Sequence, residues 1–340
     1  MNENNKTVLV TGGSGYVAGW TIVALLKEGY IVRTTVRTPK LEKKVRASIS
    51  RLVDPENRLT FFTADLLNDA GWDHAVEGCD FVLHVASPMG TSKSKLEDLL
   101  PPSKEGTLRV LKAAVNAKVK RVVMTSSLAA AIPETSETVS TEEVWTDLSS
   151  KNTPVYYHAK TLSEKAAWEF MENHQGVTTL TTILPALMLG PVLRHDFSNS
   201  VGVVARMLSG KIPKLPRIGF NIVDVRDVVD LHLKAMTSAK AAGQRLIAAN
   251  DFIWLEDVAG TLKEQLGVRA SKVSLKRAPN VVVKFKSIFN AQARLVKPRL
   301  GLKQEFSSVK ASKLLGWKTR PLAQTLVDCG ESLLREGQIE

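Results

Sequence analysis

Tyr156 and Lys160 lie four residues apart in TPVYYHAKTLSEKAAWEFM, a segment that opens with Thr153 and Pro154 as a helix start. On a helix that spacing places both side chains on one face. A phenol with an ordinary pKa of about 10 is a poor acid or base near neutrality, and a neighbouring ammonium lowers it. The pair could therefore exchange a proton with an oxygen atom. Any amphipathic helix can carry Tyr-x-x-x-Lys, with Lys160 simply pairing with Glu164, so a third group has to add weight. RVVMTSSLAA supplies it, setting Ser126 and Ser127 at the carboxyl end of an apolar strand, where open α/β sheets bind ligands. A Ser127 hydroxyl there could hydrogen-bond a reacting oxygen and stabilise its developing charge.

The elements that must hold these residues alternate along the first half of the chain. TVLVT (7–11), IVRTTV (31–36), LTFFT (59–63), FVLHVA (81–86), RVVMTS (121–126) and TLTTIL (179–184) read as buried strands, with helical segments such as 20–27 and 41–52 between them. This predicts an α/β fold, a Rossmann doubly wound parallel sheet, over residues 1–190. After Pro185 the rhythm breaks, with Pro191, Pro213 and Pro216 interrupting it before helical stretches at 224–236 and 255–266. Residues 191–340 are expected to form mainly a smaller C-terminal substrate-binding lobe, with part of the chain returning to the sheet. VDVRDV, with Asp224 and Asp227, reads as a helix cap followed by an acidic first turn.

Directly after the first strand, TGGSGYVAGW places Gly12, Gly15 and Ala18 at the spacing of a dinucleotide-binding turn that opens a helix. Gly12 permits the turn, Gly15 lets the backbone approach a pyrophosphate at the helix N-terminus with Tyr16 and Val17, and Ala18 allows close helix–strand packing. No Asp or Glu occurs between Glu28 and Glu42; the segment instead carries Arg33, Arg37, Lys40, Lys43 and Lys44. Arg37, with Lys44, could pair with a 2′-phosphate, which points to NADPH/NADP rather than NAD. Asp65 is placed to accept from an adenine amino group, or to cap a turn. Leu66 and Ala86 complete the expected cofactor wall.

Composition excludes other classes. The net charge is +12, but its Lys and Arg residues are interspersed with acids and no nucleic-acid motif accompanies them. The opening MNENNK lacks the apolar middle of a secretory signal, and no run reaches the length of a membrane span, so a cytoplasmic protein that binds neither nucleic acid nor membrane is expected. Cys79 and Cys329 have no neighbours at metal-ligand spacing, so no metal site is expected. His84, inside an apolar strand, reads as a structural residue. A basic stretch, Lys284, Lys286, Arg294, Lys297 and Arg299, interleaved with Phe285, Ile288, Phe289 and Leu295, reads as a solvated helix over the pocket.

VLVTGGSGYVAGW, VRTTVRTP, HVASP, KRVVMTSS, YYHAKTLSEKAAW, ILPALMLGP and VDVRDV together resemble the extended short-chain dehydrogenase/reductase family, in particular its dihydroflavonol reductase, cinnamoyl-CoA reductase and yeast aldehyde or methylglyoxal reductase branch. The resemblance spans nearly the whole chain. It implies an NADP-dependent oxidoreductase, monomeric or homodimeric, that reduces an aldehyde or ketone to an alcohol. In that scheme Ser127, Tyr156 and Lys160 are catalytic, Lys160 also holds the nicotinamide ribose, and Pro185 helps position the carboxamide. Tyr157 and His158 are then expected to point away from the reacting groups. Ser103 stands where many relatives carry a relay Asn, so no relay is assigned to it. Ile132 replaces an Asn that plant dihydroflavonol reductases use on flavonoid hydroxyls, which argues against a flavonoid. Ser87, Met89, Leu128, Ile132, Leu187 and Met188 are expected around a pocket for a small-molecule carbonyl substrate. Two alternatives stay open: an NAD-dependent sugar-nucleotide epimerase or dehydratase on the same scaffold, and a non-catalytic NADP-binding redox sensor.

Overall fold

A computed structural model describes residues 6–90, 94–135, 138–150, 153–194, 200–289, 293 and 296–337. Seven short apolar segments form one all-parallel sheet: β1 (Thr7–Val10), β2 (Ile31–Val36), β3 (Leu59–Thr63), β4 (Phe81–His84), β5 (Arg121–Thr125), β6 (Thr179–Pro185) and, far along the chain, a strand at Arg245–Ala248. The sheet needs this composition because helices cover both faces, so β4 and β5 are buried at every position. β7 (Leu187–Leu189), β8 (Gly219–Asp224) and β10 (Phe252–Trp254) make a second sheet in the order β10-β8-β7, and Arg245–Ala248 is β9. The large sheet runs β3-β2-β1-β4-β5-β6-β9, reversing direction of growth between β1 and β4.

The first strand of the small sheet begins at Leu187, two residues after β6 ends at Pro185. The chain returns to the large sheet twice. The β9 strand pairs with β6, and the helix Val225–Thr237 supplies Val228 and Leu231 to the core cluster that holds Val8, Ile22 and Ile183. Asp224 caps that helix, accepting from the Arg226 backbone at 2.8 Å, while the Arg226 guanidinium also binds Asp224 and Asp328. Asp227 accepts from the Arg320 backbone at 2.7 Å and from its guanidinium, and the buried Trp317 indole donates to the Asp227 carbonyl at 2.8 Å. VDVRDV is thus a structural knot that ties the C-terminal segment to the sheet. The two cysteines are buried, and burial pushes their thiols up to about 11 at Cys79 and about 12 at Cys329, so neither is a nucleophile at neutral pH.

Candidate active site

The glycine turn is shaped by contacts that no side chain could make. Gly12 has φ +70°, and a Cβ there would stand 2.9 Å from the Ala86 Cβ; one on Gly13 would meet the Thr34 hydroxyl at 2.4 Å. The turn is pinned to β2 by Gly12 N donating to Thr35 Oγ1 (2.9 Å) and Gly13 N to Thr35 O (2.8 Å). Gly15 caps the helix Tyr16–Lys27, whose first turn has neither a side-chain cap nor an acidic residue. The amide donors at this twelve-residue helix's start are therefore open to an anion, and the cradle fits a dinucleotide pyrophosphate. The helix starts four residues earlier than periodicity suggested, because Gly15 in extended conformation sets its beginning.

Tyr16 reaches this cradle only through its backbone, since its hydroxyl donates to Gly190 O at 2.9 Å. Val17 is buried in the core beneath. Arg37 follows β2 directly and is exposed, as is Lys44 on the next helix, Lys40–Ser50. Two arginines of this region are spent on structure: Arg33 stacks on Phe62 and donates to carbonyls of His74 and Glu77, and Arg46 stacks on Phe61 and donates to Leu59 O. Asp65 caps its own turn, accepting from Leu67 N at 3.0 Å, while Leu66 packs beside Gly106.

Ser126 and Ser127 leave β5 on opposite sides. Ser126 Oγ donates to the Glu164 carboxylate at 2.6 Å. Ser127 lies beside a cavity of about 310 Å³ and accepts from Ala129 N at 3.1 Å, which leaves its own proton to give. Tyr156, from the first turn of the helix Val155–Glu172, lines the same cavity. Burial pushes its phenol above the ordinary value of 10.0, with the Ser127 hydrogen bond opposing and Tyr157 adding to the rise. Lys160, expected to lower it, is not among the causes of this shift: desolvation dominates, and the phenol carries its proton at neutral pH.

Lys160 is buried on the next turn, and burial lowers it from 10.5 to about 8, with Glu164 pulling the other way. Its ammonium donates to Thr125 O at 3.4 Å and makes no ion pair among the described residues. Glu164 is taken by others: besides Ser126 it accepts from Thr182 Oγ1 (2.7 Å), Arg245 Nε (2.8 Å) and Trp168 Nε1 (3.4 Å). Arg245, on β9, also donates to the carbonyls of Ala130, Glu142 and Val144 and stacks 3.7 Å above Trp145. One buried ion pair thus fastens the helix Val155–Glu172 to β9, to β6 and to the residue following β5, an arrangement that the sequence separation of 81 residues concealed.

Behind the site, hydrogen bonds run in one direction. Ala86 N donates to Thr11 Oγ1, Thr11 to His84 Nδ1, His84 Nε2 to Thr107, Thr107 to Ser163, and Ser163 to the Ser103 carbonyl. The terminal carbonyl can only accept, so the chain assigns the proton of His84 to Nε2. Burial holds this imidazole down to about 3, with Lys160 adding to the fall, so His84 stays neutral and structural.

Met89, Leu128, Ile132, Leu187, Met188 and Pro185 line the cavity with Ser127 and Tyr156. Ser87 is not among its walls. Tyr157 is, contrary to expectation: at the helix N-terminus the cavity opens around a wider arc than one helix face, and the two tyrosine rings meet edge-on with centroids 6.5 Å apart. Phe220, Asn221, Arg299 and Phe306 were also not anticipated as walls. Of the basic stretch, Lys284 and Lys286 lie on a short helix at Asn280–Lys286 and Arg299 reaches the cavity, whereas Arg294 and Leu295 lie outside the described residues.

A doubly wound sheet with a glycine-rich first turn and a Ser-Tyr-Lys set at its carboxyl edge is the architecture of the extended short-chain dehydrogenase/reductases. The chain belongs to the NAD dependent epimerase/dehydratase family, whose model it matches over residues 8–248. It is 36% identical over 258 residues to cinnamoyl-CoA reductase CAD2 of Medicago truncatula, covering 73% of this chain and 78% of that one. It is 32% identical to tetraketide alpha-pyrone reductase 1 of Arabidopsis thaliana over 100% of this chain and 98% of that one. Yeast methylglyoxal/isovaleraldehyde reductase Gre2, solved complexed with NADPH, superposes with TM-score 0.82 at 26% identity, covering 98% of this chain and 100% of that one. Among the described residues no helix is long and apolar enough to cross a membrane, and no group of His, Cys, Asp and Glu could hold a metal.

Proposed function

We propose that this protein is an NADPH-dependent reductase that converts an aldehyde or ketone to an alcohol. The observation that carries the reading is the convergence of Ser127 and Tyr156 on one apolar cavity at the carboxyl edge of the sheet, with Lys160 one turn behind. NADPH, when bound, would supply the hydride for the carbonyl carbon. Ser127 gives a hydrogen bond to the carbonyl oxygen, and Tyr156, protonated by virtue of its burial, delivers the proton that completes the alcohol. Lys160 steadies the ribose of the cofactor and favours the phenolate left behind. Gly12, Gly15 and the amides of Tyr16 and Val17 would hold the pyrophosphate, and Arg37 and Lys44 would meet the 2′-phosphate. The relatives named as reductases and the neighbour complexed with NADPH support this reading.

Although the family is named for NAD, the exposed Arg37 at the end of β2, and no acid there, favour the phosphorylated cofactor. The same reading places the enzyme in the cytoplasm as a monomer or homodimer. Its test is NADPH consumption against a panel of aliphatic, aryl and 2-oxo aldehydes and ketones, with NADH in parallel. Substrate-dependent oxidation with preference for NADPH is expected; tight NADPH binding without turnover of any carbonyl would return weight to the sensor alternative.

A further inference from the structure

The catalytic groups do not account for the polarity of the cavity wall. Leu128, Ile132, Leu187, Val203, Phe220 and Phe306 give it an apolar body, but Asn221 and Arg299 bring polar groups to the same space. Asn221 is only 7% exposed. Its Nδ2 donates to Asn250 O at 3.0 Å, and a carbonyl can only accept, so this bond fixes the orientation of the amide. The other end, Oδ1, is then a buried acceptor that finds no donor among the described residues. An unpaired buried acceptor is destabilising, and a donor on a bound molecule would relieve it.

Arg299 is the second anomaly. Its guanidinium lies 4.8 Å from the centre of the Phe220 ring, another cavity wall, and makes no ion pair or hydrogen bond among the described residues. Four arginines of this lobe are committed to carboxylates instead: Arg217 and Arg277 to Glu256, Arg226 to Asp224 and Asp328, and Arg269 to Glu331. Among the described residues no Asp or Glu lines the cavity. A cation stacked on an aromatic face is already oriented, and its planar fork matches a carboxylate bidentately.

We propose that the physiological substrate is an anionic carbonyl compound: an apolar body with the reacting carbonyl at Ser127 and Tyr156 and a carboxylate bound by Arg299, with Asn221 Oδ1 receiving a hydroxyl or N–H of the same molecule. This rests on the reductase reading above and goes further, because it selects among carbonyl compounds by charge. A neutral, wholly hydrocarbon carbonyl would leave Asn221 and Arg299 facing apolar atoms.

The test compares matched pairs of aryl and alkyl oxo compounds, each as the free carboxylate and as its methyl ester, for example 4-formylbenzoate and methyl 4-formylbenzoate, by NADPH oxidation. The expected result is a kcat/KM about tenfold or more higher for the carboxylate, the size of one charge-assisted hydrogen bond. Arg299→Met is expected to narrow the carboxylate-to-ester ratio to within about twofold, and Arg299→Lys, which keeps charge but loses the fork, to give an intermediate ratio. Turnover of esters and carboxylates with equal efficiency, or a ratio that survives Arg299→Met, overturns the proposal while leaving the reductase reading intact. Turnover of neither class, with NADPH bound, refutes the reductase reading and the proposal together.

Discussion

Replacing Glu164 by Gln keeps the shape of the side chain and removes its charge at the point where the catalytic helix is fastened. Glu164 is fully buried and accepts from Ser126, Thr182 and Arg245 at 2.6, 2.7 and 2.8 Å. Removing one partner of a buried ion pair costs roughly 3–5 kcal/mol. Here the lower end applies, about 3 kcal/mol, because Arg245 keeps three backbone carbonyls and the Trp145 ring. For a chain of this size that lowers Tm by about 4 °C. A second effect falls on Lys160, which Glu164 helps to keep protonated. At roughly 6 Å and an effective dielectric of about 20, one charge is worth about 2–3 kcal/mol, or one to two pKa units. The other groups around Lys160 cannot compensate: His84 is neutral, Tyr156 and Tyr157 are phenols, and Arg245, left without its counter-ion, pushes in the same direction.

Lys160 ionises with a pKa of about 8, so reduction that needs its ammonium is lost as pH rises through that value. In Glu164→Gln the lysine releases its proton more easily, and the alkaline limb of kcat/KM moves at least about one unit toward lower pH. Rate profiles between about pH 6 and 9, with melting curves alongside, measure both effects. Thr182→Val is the control, since it deletes one hydrogen bond to the same carboxylate without altering charge; it should cost about 1 kcal/mol and leave the limb in place. If Glu164→Gln lowers Tm but the limb stays where it was, the coupling between Glu164 and Lys160 is refuted and the ion pair is structural only.

Tyr156→Phe removes the proton donor and should lower kcat by about a hundredfold or more while leaving the KM for NADPH nearly unchanged; steady-state kinetics with the best carbonyl of the panel decide it, and undiminished turnover would contradict the proton assignment. Arg37→Ala should raise the KM for NADPH about tenfold and leave that for NADH unaltered, because the lost contact is to the 2′-phosphate alone. Arg33→Ala, whose guanidinium is committed to Phe62 and to two carbonyls, should instead lower Tm without changing cofactor preference.

The central strands β1, β4 and β5 were legible from sequence because they are buried and read as short β-branched and apolar runs, while β2 and the half-exposed edge strand β3 were legible from their β-branched and aromatic residues and end at the residues expected. Strand β9 was not, as RLIA is four residues long and its partner β6 lies about sixty residues away. At the site, Ser127, Tyr156 and Lys160 stood out because local spacing on a strand end and a helix face determines where they go. The basic cluster around β2 was readable only as a cluster: sequence shows five cations, but only packing shows that Arg33 is consumed on the far side of the sheet while Arg37 stays exposed. Asn221 and Arg299 come from the small sheet and from an irregular segment nearly eighty residues further on, and no periodicity links them.

The division of labour between Ser126 and Ser127 explains why the site's two ends can differ in character. Ser126 donates to the Glu164–Arg245 anchor, while Ser127 accepts from Ala129 N and, in the proposed mechanism, gives its proton to the reacting oxygen. The catalytic end is thereby built from the large sheet and the helix packed on it, and its geometry is held by a buried ion pair that touches no substrate. The far wall is built from β8 and the segment around Arg299, which share no hydrogen bond with that anchor among the described residues. Substitutions at Asn221 or Arg299 should therefore change which carbonyl is chosen without disturbing how it is reduced, whereas a change at Glu164 should alter the chemistry for every substrate alike.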